Sequence, residues 1–175
     1  MKISASLIQF FGFGITSLVG TLLHFLFDWT GKSLLTASFS AVNESTFEHM
    51  KILFVPLFLF AAAESLFFAN HRNFWCVKLK GITLGLLLIP IIFYTVNGAF
   101  VSTPDWFNIA IYFISAAVAF FTETRMLAKE NGKCLSPRLA FLTLCLIAAL
   151  FVFFTFFPPR IPLFRDPVTG TYGIS

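Results

Sequence analysis

Five long apolar runs, separated by short stretches that hold most of the charge, constrain this chain more than any other feature. They are Ile3–Phe27, Ile52–Ala69, Leu79–Val96, Trp106–Thr124 and Leu139–Phe157. A helix needs about 20 mostly apolar residues to cross the hydrocarbon core of a bilayer, and each run meets or approaches that length. Composition points the same way. The chain is 58% hydrophobic and 11% charged, whereas soluble domains carry about 25% charged residues. So little charge cannot cover a water-facing surface. The sequence predicts an all-α, five-helix transmembrane bundle, a single integral membrane domain over residues 1–175 with the lipid bilayer as its main partner.

The first run is longer than the roughly 7–15 apolar residues of a signal peptide, and no A-x-A cleavage site follows it. It is therefore read as a helix of the mature protein. The net charge of +4 does not point to nucleic acid, because Lys and Arg stand in short clusters between apolar runs. That pattern sets membrane orientation. With the N-terminus inside, Lys2, Arg72, Lys78, Lys80, Arg125, Lys129, Lys133 and Arg138 fall on the inner side. Lys32, Lys51, Arg160 and Arg165 fall outside, together with Asp28, Glu44, Glu48, Asp105 and Asp166. The expectation is an inner N-terminus and an outer C-terminus, with Trp29 and Trp106 at the outer interface and Trp75 at the inner one.

Two segments do not cross. Ser33–Val42 is too short to span and too apolar for a free loop, so it is expected to lie along or dip into the outer interface. The tail, residues 158–175, holds Pro158, Pro159, Pro162 and Pro167. It cannot be helical and is expected to fold back on the outer face. Cys76, Cys134 and Cys145 are odd in number and lack CxxC spacing, so they read as reduced or membrane-buried thiols.

The polar residues near the apolar runs are the candidates for function. Ser45-Thr46-Phe47-Glu48 fits the S-x-x-E capping box that opens a helix, with Asn43 or Ser45 as the N-cap and Glu48 as its partner. Capping leaves His49 unexplained, and Glu44 beyond its fit to the helix dipole. His24 and Asp28 are four apart and share a helical face. Topology gathers His24, Asp28, Glu44, Glu48 and His49 at the outer interface. His24, Asp28, Glu48 and His49 are the ligands expected for a zinc-type divalent ion with an open position, although no H-E-x-x-H spacing fixes the geometry. Glu64 lies six residues before Asn70, which places it roughly 9 Å inside the inner end of its span. An ionisable group at that depth marks a functional site or a carboxyl tied to a partner such as Asn97 or a serine. Glu123, two residues from Arg125, reads as interfacial.

The stretches HFLFDW (24–29), NESTFEHMK (43–51) and PLFRDPVTGTYGI (162–174) resemble those of a family of small bacterial multi-pass membrane proteins of unknown function. The resemblance spans nearly the whole chain and implies a bacterial cytoplasmic membrane, with no substrate, cofactor or catalytic role attached. From the residues, the leading reading is a small-solute or cation binding or transport protein, with an outer polar cluster and Glu64 as a relay. The alternatives are a membrane-embedded metal-dependent hydrolase using His24, Asp28, Glu48 and His49, and a structural subunit whose polar residues are caps and ties. A bundle of this size leaves room for a homodimer or another membrane partner.

Overall fold

A computed structural model describes residues 5–68, 71–99, 105–129, 134 and 136–174 of the chain. Among these the protein is all-α. Its helices are α1 (Ala5–Trp29), the short α2 (Leu34–Ala37), α3 (Thr46–Glu64), α4 (Phe74–Ala99), α5 (Asp105–Leu127) and α6 (Pro137–Phe156). A 3₁₀ turn, Pro162–Phe164, follows. The five long helices are each of a length and composition able to cross a membrane. Ile3 and Ala69, ends of two expected spans, lie outside the described residues, as do Lys2 and Lys133 of the expected inner basic set.

The helix ends follow local chemistry more closely than the apolar runs do. The third helix begins at Thr46, well before the apolar run at Ile52, because Ser45 supplies its N-cap. Ser45 Oγ accepts the Glu48 amide at 3.4 Å. The helix ends at Glu64, so Glu64 is not set back inside its own span but closes it. The sixth helix starts the same way, with Ser136 accepting the Leu139 amide at 3.3 Å and Pro137 at a first-turn position, where its missing N–H is no loss.

Small residues let the helices approach. In α4, Gly81 and Gly85 are one turn apart and face Glu123, Ala119 and the Ser115 carbonyl of α5. A Cβ at Gly85 would stand 3.1 Å from Ala119 Cβ. Such stripes replace the hydrophobic drive that helices lack among lipid tails. Around this seam Leu53, Ile82, Ala116, Ala119 and Leu144 are fully enclosed.

The chain closes over one end of the bundle, where α1 finishes and α3 begins. Leu34 and Leu35 of α2 face outward, while Ala37 packs with Phe27, Val42, Phe156 and Ile174. The tail folds back here. Phe164 stacks on Phe47 with ring centroids 4.3 Å apart, and Arg165 pairs with Tyr172 through an isolated bridge. Asn43 Nδ2 donates to the Gly173 carbonyl at 2.9 Å. A turn built on Asp166 shapes the tail between them. Burial works to raise the Asp166 pKa, but the Val168 and Thr169 amides prevail and hold it below the usual carboxylate value.

Two expectations are corrected. Cys76 and Cys134 form a disulfide with Cα atoms 5.8 Å apart, joining the start of α4 to the segment before α6, and only Cys145 is free. The pairing joins positions 58 residues apart, which no local spacing announces. Lys51 was placed among loop charges, yet it is fully buried in α3. Its ammonium reaches Glu48 Oε2 at 2.6 Å, the Ala37 carbonyl at 2.8 Å and Thr155 Oγ1 at 2.7 Å. All three of its donors are thereby used, and one acid balances one base. This centre pins α3, α2 and α6 together.

Breaking such a pair strands a buried charge, which costs about 3–5 kcal/mol. Lys51→Met should lower stability by about that amount, whereas Glu48→Gln/Lys51→Met should recover most of the loss. Unfolding in mild detergent, followed by circular dichroism, measures both.

Candidate functional site

Beside the closed end, three side chains converge from different elements. Ser45 caps α3, which leaves Glu44 one residue outside the helix and puts His49 one turn inside it. His49 Nδ1 lies 2.9 Å from the Ser45 carbonyl. A carbonyl only accepts, so Nδ1 carries a proton, and in the neutral ring Nε2 keeps its lone pair. That Nε2 faces Glu44 Oε2 at 3.7 Å. From α1, His24 Nε2 approaches the same oxygen at 3.5 Å, and the two imidazoles meet edge to face at 5.4 Å.

The donor atoms of His24, Glu44 and His49 all lie within 4.8 Å of one another. Ligand atoms about 2.0–2.1 Å from a tetrahedral zinc stand roughly 3.3 Å apart, so a small inward movement brings these three into range. A lone pair on His49 Nε2 opposing a carboxylate oxygen is unfavourable until a cation, either a proton or a metal, comes between them. The Ser45 carbonyl fixes the ring as outer partners of metal-bound histidines do. Glu44 is 47% exposed, which keeps the group reachable. Its carboxyl is held below the ordinary value near 4.5 by the contact with His24, against partial burial.

A cavity of about 490 Å³ opens beside the three residues, walled by Phe25 of α1, Asn108 and Tyr112 of α5, and Val168 of the tail. Tyr112 is fixed by its hydroxyl, which donates to the Thr16 carbonyl at 3.1 Å. Glycine at position 20 makes room for it: a Cβ there would stand 1.8 Å from the Tyr112 oxygen. Asn108 Oδ1 is buried without a hydrogen-bond partner among the described residues.

The expected ligand set is thus rearranged. Asp28 is exposed on α1 and is not one of the three. Glu48 faces Lys51, Thr155 and the Val42 amide. The reason is helical: consecutive residues point about 100° apart, so Glu48 and His49 cannot serve one centre. Asn43 is not the cap either. Its Oδ1 accepts the Ser45 amide at 2.9 Å, the bond that a capping-box glutamate at 48 was expected to take. Glu44, read from sequence as a binding residue but not as a metal ligand, takes the place of Glu48.

Glu64 belongs to a different centre at the far end of α3. It pairs with Lys78 of α4 and accepts from Gln9 of α1, rather than bonding Asn97 or a serine. Lys78 also binds Glu123 Oε2 at 2.5 Å. Glu123, expected at the interface, is 1% exposed. His49 and Glu64 are separated by most of α3, roughly 22 Å along its axis, and form no common site.

The comparisons with known proteins place the chain without adding chemistry. No curated protein and no solved structure gives a significant match. A family model described as a family of unknown function (DUF6512) matches residues 3–174, and the chain belongs to that family.

Proposed function

We propose that this protein captures a zinc-type divalent cation at His24, Glu44 and His49, at the outer face of a bacterial cytoplasmic membrane, and presents it to a small polar ligand in the adjoining cavity. One observation carries the reading. Two imidazole nitrogens, one with its tautomer set, and one carboxylate oxygen converge within 4.8 Å beside a cavity of about 490 Å³. Three protein ligands and a cavity in the remaining direction are the pattern of a site that exchanges what it binds, not of a closed structural site.

The same His₂Glu set also serves metal-assisted hydrolysis. Such hydrolysis also draws on a further carboxylate to activate water, and Glu48, one of the four residues expected for a hydrolase, is bound to Lys51. Capture is therefore preferred over hydrolysis. Transport along a path to Glu64 draws no support from the cavity, whose lining does not include that residue.

The orientation rests on Lys and Arg. With Lys51 and Lys78 removed from the loop count as buried ion-pair members, Arg72, Lys80, Arg125, Lys129 and Arg138 still mark one end, and Lys32, Arg160 and Arg165 the other. The first set faces the cytoplasm. The Cys76–Cys134 pair lies at that end too. A phosphatase that is active only outside the membrane, fused after Ser175, should be active, and inactivity of a stably expressed fusion would reverse the orientation.

Metal content tests the main reading. Protein purified in mild detergent and dialysed against zinc should retain about one ion per chain. His24→Ala/His49→Ala should retain none, while Asp28→Asn keeps the wild-type content. Zinc absent from the folded wild type overturns the proposal.

A further inference from the structure

The centre at the far end of α3 does not balance. Glu64, Lys78 and Glu123 are each 1% exposed and Gln9 is 2% exposed, and all four meet inside the bundle. Each comes from a different long helix, α1, α3, α4 or α5. Among the described residues, Lys78 is the only buried lysine or arginine at this end. Lys80 and Arg125 are exposed, the latter against the Phe121 ring. The only Lys or Arg of α6 is Arg138, exposed in its first turn. The link between α3 and α4 contributes exposed Arg72 and half-buried His71, whose buried ring nitrogens have no hydrogen-bond partner among the described residues.

Two carboxylates thus face one ammonium. Phe60, Phe74 and Phe120 surround Lys78 Nζ at 5.5–5.9 Å from their ring centroids, an environment that favours a cation and offers nothing to a spare anion. A second observation concerns hydrogen bonds. Glu123 Oε1 and Gln9 Oε1 are buried without partners among the described residues. An ionised carboxylate has about four acceptor positions to satisfy, and this one meets few of them. The contrast with Lys51 is direct. There one acid meets one base and every ammonium donor is used. Here a net negative charge is left in a desolvated interior, where groups bind a proton instead of remaining charged.

We propose that Glu64 and Glu123 hold one proton between them, with Lys78 charged, and that this end of the bundle is a single-proton binding site. The proton belongs to the pair, as in other coupled carboxylates. With it bound, the centre is neutral and ties α1, α3, α4 and α5 together. Its release leaves two anions competing for one ammonium and loosens the contact of α5 with α3. The site is independent of the His24–Glu44–His49 group.

Infrared spectroscopy of protein labelled with carbon-13 glutamate tests this. At neutral pH the wild type should show the carbonyl stretch of one protonated carboxylic acid, shifted by the label. Glu64→Gln and Glu123→Gln are isosteric and each leaves one acid against one base, so each should lose that band. Lys78→Met removes the base and should double it. A wild type without the band overturns the proposal, and so does a band that survives in both glutamine variants. Should Lys78→Met fail to fold, the two glutamine variants decide alone.

Discussion

Holding lysine ammonium groups inside helices of membrane-spanning length is the constraint from which much of this architecture follows. A charge in hydrocarbon is tolerated only when it is paired and its donors are met. Lys51 and Lys78 achieve this with partners from other elements, so each becomes a point where the chain must come together. Lys51 draws α2 and the end of α6 onto the start of α3. Lys78 draws α5 and the end of α3 onto the start of α4. The two centres stand at opposite ends of the bundle and differ in balance. The Lys51 centre is neutral as built and is structural, whereas the Lys78 centre is neutral only with a proton.

The His24–Glu44–His49 group differs from both in that its carboxylate faces two imidazoles in place of a lysine. It lies at the end that α2 and the tail close over, and its histidines come from α1 and α3, which the Gly20–Tyr112 contact helps to hold beside α5. Because Lys51 occupies Glu48, that carboxylate is withdrawn from the site. Glu44, outside the helix and partly exposed, remains free to meet an incoming cation. Structural and candidate ligand roles are thus divided between two glutamates four residues apart.

The five helices were legible because a run of about 20 apolar residues is a property of composition alone. Their ends were less so. Ser45 and Thr46 are polar, yet the helix begins there because capping, not hydropathy, sets its start. The burial of Lys51 had one local sign, its spacing of three from Glu48, but counting basic residues near span ends assigns such a lysine to a loop. Lys78, Glu123 and Gln9 had no sign at all. Their pairing is tertiary, across four helices, and Glu123 beside Arg125 looks interfacial from sequence. For the candidate site, the histidines were visible as unexplained polar residues, but choosing Glu44 over Glu48 required knowing which face of α3 each residue takes.

Anomalous X-ray scattering at the zinc edge, from crystals of the zinc-loaded protein, tests the central claim most directly. The account predicts one peak between His24 Nε2, His49 Nε2 and Glu44 Oε2, with Glu48 still bound to Lys51. A peak ligated by Glu48 or Asp28 in place of Glu44, or no peak in a well-ordered map, would contradict it.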